Sequence, residues 1–360
     1  MRRCLSILTG LVMLANFCMA SQAMAEEKRI LIKLQTAFSE ALPALGECLP
    51  VFKNFVESAS QNTMKVKIYE PGKLVPSFEI HGAVSSGKVD AGYTATVYVA
   101  GKVPAAELFT YIPFGCDAPA YLGWLYHGGG LELYQETYDQ ARYNLKPFPF
   151  AFLAPETGGW YKKPINSMED LQGLKLRWPG MGGKVLQRLG ASISMIPSGE
   201  IFPSLEKGAI EGTEFSNPAI DAKLGFHKIA KYNYFPGWHQ PVTHLELILN
   251  KEVWKQMSDR QKAVWEMAAK AVNTYTLSRS TALQGPAVQE NAEKHGVKNK
   301  VWSDEMLEAF RQAWQEVIKE EAAKDAMLKK VWQDYQDYME DYTAYSSKAY
   351  LPRPGTEMRD

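Results

Sequence analysis

Ile30-Leu31-Ile32-Lys33-Leu34-Gln35-Thr36 reads as a buried strand, Met64-Lys65-Val66-Lys67-Ile68-Tyr69 alternates as a second, and Asp90-Ala91-Gly92-Tyr93-Thr94-Ala95-Thr96 reads as a third. Between the first two, a helical pattern over 44–60 puts Leu45, Leu49, Phe52, Phe55 and Val56 on one stripe. Between the second and third, a short helix over 77–85 is closed by Gly87. Strand, helix, strand, helix, strand predicts a parallel sheet with helical crossovers, and so the α/β fold class.

Downstream, the pattern predicts a helix over 121–133 and a strand over 148–153. A second βα set begins at Ser167-Met168-Glu169-Asp170, with Ser167 as cap. It continues as a strand (174–178), a helix (182–189), a strand (192–196), a helix from a Ser198 cap to 207, and a strand (210–215). Residues 244–249 read as a strand of the first set again, and the rest is helical. Ser258 and Gln261 form a capping box for a helix through 281, followed by helices over 304–322 and 326–345. The organisation predicted is lobe 1 from 26–153 with 242–282, lobe 2 from 154–241, and helices over 283–360 bracing both. Two crossings between lobes imply a hinge and a cleft at the strand ends. The last helix sets Val331, Trp332, Tyr335, Tyr338, Met339, Tyr342 and Tyr345 at helical spacing. That stripe reads as packing across the two lobes or, more sharply, as a homodimer contact.

Arg2 and Arg3, the apolar run 5–18 and Ala23-Met24-Ala25 have the layout of a secretory signal peptide over 1–25. A lipid anchor at Cys18 is the alternative, and bulky Phe17 before it disfavours that processing. No later stretch is long and apolar enough to span a bilayer. The expected destination is the periplasm. Taking 25 residues from 360 leaves about 335, which favours two domains over a single core. Acids and bases balance at 40 each, and no basic stripe interleaved with aromatics points to nucleic acid. Cys48 and Cys116 remain in the mature chain, as a disulfide or as two buried thiols. No nucleophile elbow, phosphate loop or zinc-type histidine spacing is present. Gly128-Gly129-Gly130 lacks a preceding strand and a following lysine, so it reads as a turn.

Arg177 stands at the end of a strand, where an open sheet presents residues to its crevice, and its planar fork matches a carboxylate. Glu214 ends the strand 210–215, and Glu156 follows the strand 148–153. Two carboxylates facing one site want a metal ion or a ligand ammonium; the bland reading is two unrelated surface acids. Trp160, Trp178, Phe215 and Trp238 crowd the same strand ends, with Tyr93 and Tyr98 from the first lobe, as an apolar wall or as plain core. His239 and His244 flank the return strand and are read as satisfied core or rim histidines.

Several of these segments together resemble one family. Lys73-Leu74-Val75-Pro76-Ser77-Phe78-Glu79-Ile80 with Gly87-Lys88-Val89-Asp90-Ala91-Gly92 is similar to the first-lobe signature of TRAP-transporter solute-binding proteins. Gly173-Leu174-Lys175-Leu176-Arg177 and the run from Leu205 to Phe215 resemble its second-lobe segments. Lys223-Leu224-Gly225-Phe226 and Tyr234-Phe235-Pro236-Gly237-Trp238 are similar to the branch that binds α-keto acids and other monocarboxylates. The resemblance implies a two-lobed periplasmic binding fold that closes on its ligand, TRAP membrane permease subunits as partners, and no enzymatic activity. It implies that Arg177 pairs with the ligand carboxylate. It implies a sodium or calcium ion held at Glu156, Glu214 and the Phe215 backbone, and dimerisation through an exchanged C-terminal helix.

Two departures stand out: Glu156 occupies a position where that branch carries glutamine, and Glu214-Phe215 replaces Glu-Trp. The second carboxylate strengthens a cation site or receives an ammonium instead. With Tyr98, Trp178, Phe215 and Trp238 as wall, the expected ligand is a small carboxylate, a 2-oxo acid or relative with an apolar or aromatic side chain. The alternatives are an aromatic amino acid with its ammonium on Glu156 and Glu214, a hydrolase using those two as acid and base, and a signalling module acting through the tail.

Overall fold

The computed structural model describes residues 27–351. The expected signal segment, with the alternative anchor at Cys18, lies outside the described residues. Among the described residues the strands are β1 (Ile30–Thr36), β2 (Met64–Tyr69), β3 (Ala91–Thr94), β4 (Leu145–Leu153), β5 (Trp160–Tyr161), β6 (Lys175–Arg177), β7 (Ser192–Ser194), β8 (Gly212–Thr213), β9 (Tyr232–Phe235), β10 (Thr243–Asn250) and β11 (Lys298–Val301). They form two sheets, in the orders β2-β1-β3-β10-β4 and β11-β9-β5-β8-β6-β7.

The first three strands pair in parallel through helical crossovers, with Ile30 opposite Met64 and Leu34 opposite Ala91. The return strand β10 runs antiparallel between β3 and β4, with Leu247 against both Tyr93 and Phe148. All eight residues of β10 are buried, including Glu246. That carboxylate is tolerated because His81 lies 2.5 Å from it, Tyr134 donates at 2.6 Å and Tyr138 donates at 2.8 Å. In the second sheet, β6 is parallel to β7 and β8, which aligns the C-terminal ends carrying Arg177 and Glu214.

The chain crosses between sheets after β4 and again before β10, as the sequence predicts. A third crossing was not legible: β11 pairs with β9 and returns the chain to the second sheet. It follows the helix Asp259–His295, which continues 14 residues past the predicted end at 281 and carries Pro286 inside it. Its start is the expected capping box: Ser258 N–H donates to Gln261 Oε1 (3.0 Å) and Gln261 N–H donates to Ser258 Oγ (3.1 Å). At 1.5 Å per residue, 37 residues span roughly 55 Å, enough to brace both sheets.

The helix predicted over 121–133 is two helices, Ala118–His127 and Gly130–Gln140. The triple glycine turns the chain between them, with Gly129 at φ +96°, so the turn reading holds. Ser198 is the first residue of its helix rather than its cap; Pro197 occupies that position and the side chain caps nothing. Met168–Leu171 behind Ser167 is a single 3-10 turn, with the capping box formed. Cys48 and Cys116 are both free and buried. Burial pushes their thiols up to about 12 and about 11.

The tail helix Ala326–Ala349 packs its first half on its own chain. Tyr335 is buried and its hydroxyl accepts from the Cys116 N–H at 3.0 Å, while Trp124 Nε1 donates to Asp334 at 2.7 Å. Tyr345 and Tyr350 are exposed. Among the described residues, no helix is long and apolar enough to cross a membrane.

Candidate functional site

The strand ends of the two sheets face each other across a narrow cavity of about 30 Å³. Its walls include Tyr98, Glu156, Arg177, Glu214 and Phe215, five of the residues predicted for the site. Phe38, Tyr111, Gln240 and Thr243 are also among its lining residues; the sequence reading did not single these out.

Arg177 is 1% exposed. Its Nη1 donates to Glu214 Oε1 (2.5 Å) and to the Glu214 carbonyl (2.6 Å), and its Nε donates to the Ile196 carbonyl (3.1 Å). The guanidinium carbon lies 5.5 Å from the centre of the Phe215 ring. Glu156 is fixed from the return strand: Gln240 Nε2 donates to Thr243 Oγ1 (2.9 Å), and Thr243 donates to Glu156 Oε1 (2.7 Å). Gly237 permits this approach, since a Cβ there would stand 2.3 Å from the Glu156 carbonyl oxygen.

The two acids have opposite electrostatics. Burial, then the charge of Glu214, pushes Glu156 well above the usual carboxylate range. Burial also acts to raise Glu214, but Arg177 and His239 outweigh it and hold Glu214 low. Asp221 behind them is raised by burial, with Trp160 Nε1 donating to it at 2.8 Å. Burial pushes the Tyr98 hydroxyl up to about 12.

Trp178 and Trp238 are corrected. Neither lines the cavity; both are buried and stack on each other, 6.5 Å between centroids and 16° between planes. Trp178 follows the last residue of β6, and its ring also packs on His239, 4.7 Å between centroids. Trp238 is held by stacking on Phe114 and Phe310. Tyr93 and Trp160 are core. His244 is a core histidine satisfied on one side only, its Nδ1 2.5 Å from the Phe109 carbonyl and its Nε2 without a partner, and burial lowers it to about 4. His239 is not satisfied: fully buried, it has no hydrogen-bond partner on either ring nitrogen.

The sequence pattern of bacterial extracellular solute-binding protein, family 7, matches residues 38–325. The chain belongs to that family. The chain is therefore a TRAP-type solute-binding protein with the family's two-lobed fold, a receptor and not an enzyme, and the hydrolase reading falls. Among its relatives is a monocarboxylate 2-oxoacid-binding periplasmic protein of Nostoc sp., 34% identical over 87% of this chain and 85% of the relative. A TRAP periplasmic solute-binding protein of Pseudoalteromonas atlantica, with bound sodium and pyruvate, superposes with a TM-score of 0.85 at 33% identity, over 90% of this chain and 99% of that one. Another from Bordetella bronchiseptica, a mixed-occupancy dimer with calcium and picolinate, gives a TM-score of 0.86 at 28% identity, covering 89% and 95%. Those homologues hold calcium or sodium together with a carboxylate.

Proposed function

We propose that this family member captures a small 2-oxo carboxylate in the periplasm and presents it to TRAP membrane permease subunits. One observation carries the reading: a fully buried Arg177 shares its cavity with two buried carboxylates, each with one oxygen, Glu156 Oε2 and Glu214 Oε2, that has no hydrogen-bond partner. Buried polar atoms without partners are costly, and a cation between these two would satisfy both. The residues therefore fit the cation implied by the family. Glu156, Glu214 and the Phe215 carbonyl would hold it, and it would bridge protein to ligand. Arg177 pairs with the ligand carboxylate, Tyr98 and Phe215 close the wall, and the 2-oxo group turns to the cation. The narrow cavity favours a ligand of pyruvate size over one with an aromatic side chain, since the tryptophans expected to make room are elsewhere. The 2-oxoacid and pyruvate ligands of two relatives support the same class, while the picolinate of a third shares only the carboxylate.

The remaining parts of the reading are a signal segment removed after Ala25, lobes divided as 26–153 with 242–282 and 154–241, and a homodimer through the tail helix, where Tyr345, and Tyr350 just past its end, are exposed and suit a partner surface.

The test is thermal unfolding of the mature chain against a carboxylate panel, with calcium or chelator. A ligand that binds only the folded state at about 100 times its Kd stabilises by about 2.7 kcal/mol. Pyruvate and other short 2-oxo acids are expected to raise the melting temperature, and chelator to remove the shift. A chelator-insensitive shift from amino acids would instead put an ammonium on Glu156 and Glu214.

Closure has its own prediction. Tyr111 donates to the Pro179 carbonyl at 2.6 Å and accepts from the Gly182 N–H at 3.3 Å, tying the first lobe to the start of helix Gly180–Arg188. Tyr111→Phe leaves those buried groups unpaired at a cost of about 1–2 kcal/mol, so pyruvate affinity should fall roughly 5- to 30-fold by calorimetry. Unaltered affinity would show that this clasp does not hold the closed form.

A further inference from the structure

His239 stands directly beside the two free carboxylate oxygens. Its Nε2 lies 3.6 Å from Glu214 Oε2 and 3.9 Å from Glu156 Oε2. One ligand atom from each of the three residues lies within 4.8 Å of the others. Each of the three is buried and lacks a hydrogen-bond partner. The imidazole cannot swing away to find one. Tyr111, Trp178 and Trp238 pack against it with ring centroids at 5.9, 4.7 and 5.6 Å, and the residue has no exposed surface.

The distances from His239 exceed hydrogen-bond length, so the imidazole satisfies neither acid. They suit three ligands around one ion, since metal–ligand bonds run roughly 2.0–2.6 Å from a shared centre. The rest of the surroundings fix this aim. Thr243 occupies Glu156 Oε1 and Arg177 occupies Glu214 Oε1, so the free oxygen of each acid is the one turned toward His239.

We propose that His239 Nε2 is a protein ligand of the cation, making this a mixed nitrogen–oxygen site that favours a borderline divalent metal such as zinc over sodium or calcium. This rests on the cation-bridged reading above and specifies its metal. Sodium- and calcium-type sites are built from oxygen donors, whereas an imidazole with carboxylates suits zinc and its transition-metal neighbours. Gln240 and Thr243 serve as positioning residues that hold Glu156 in the ligating orientation.

The test uses metal-stripped mature protein titrated with zinc and with calcium, wild type beside His239→Gln. Wild type is expected to bind zinc at least ~100-fold more tightly than calcium; His239→Gln should lose at least ~10-fold for zinc and less than ~3-fold for calcium. Manganese-loaded wild type should show coupling to one imidazole nitrogen by pulsed electron paramagnetic resonance. That readout on wild type decides the matter alone if the variant does not fold. Metal binding without nitrogen coupling, or with zinc affinity unchanged in His239→Gln, would overturn the inference and leave the bridged site standing. No binding of either metal to wild type would overturn both.

Discussion

Arg177→Ala is expected to weaken pyruvate binding by at least ~10-fold, the loss of a charge-assisted hydrogen bond of about 1.5–3 kcal/mol. The structure adds a second cost. The guanidinium is the direct partner of Glu214, at 2.5 Å in a site where both are essentially unexposed. Removing one member of a buried pair strands the other, at about 3–5 kcal/mol of folding stability. The variant should therefore lose both melting temperature and ligand response. Arg177→Lys separates the two effects. A lysine retains the charge but presents no planar fork, so it should recover stability better than affinity. Calorimetric titration with pyruvate checks this. An Arg177→Ala protein that folds and binds within about twofold of wild type would remove the residue from the ligand site.

Glu214→Gln should abolish the cation's contribution. Glu214 is the acid that Arg177 holds low, whereas burial and its neighbour push Glu156 up. An amide keeps the shape and removes a carboxylate charge from the cation position, and hard-cation affinity depends steeply on ligand charge. Calcium affinity is expected to fall at least ~100-fold, with pyruvate affinity falling alongside because the two share the site. Calcium binding within a few-fold of wild type would contradict the proposed geometry. Because Arg177 would then face a neutral partner, melting of the unliganded variant should be recorded with the titration.

Most of the fold was legible wherever the chain supplied its own periodicity. β1, β2 and the capping box at Ser258 and Gln261 stand where the sequence placed them. What was not legible is short or set from a distance. β5 has two residues and β11 has four, and each is a strand only because a partner far along the chain pairs with it. The Asp259–His295 helix runs through Gly285-Pro286, a local stop signal overridden by packing of the long helix.

The candidate site divides in the same way. Arg177 and Glu214 announce themselves by ending strands, and the structure brings both to one cavity with Glu156, Tyr98 and Phe215. Adjacency to Arg177 suggests a shared wall for Trp178, whereas its ring packs on Trp238 and His239 and lines no part of the cavity. Thr243 and Gln240 give no signal at all in sequence, since an ordinary polar residue acquires its role only from the acid it meets. His239 looked like a core histidine because a lone imidazole carries no spacing; its unpartnered nitrogens appear only in three dimensions.

The most direct measurement is calorimetric titration of pyruvate into the mature protein, first metal-stripped with chelator present, then after calcium or zinc is restored. The account predicts little or no heat without the ion and one pyruvate per chain with it. Equal affinity in both states, or no binding in either, would contradict a cation-bridged 2-oxoacid site.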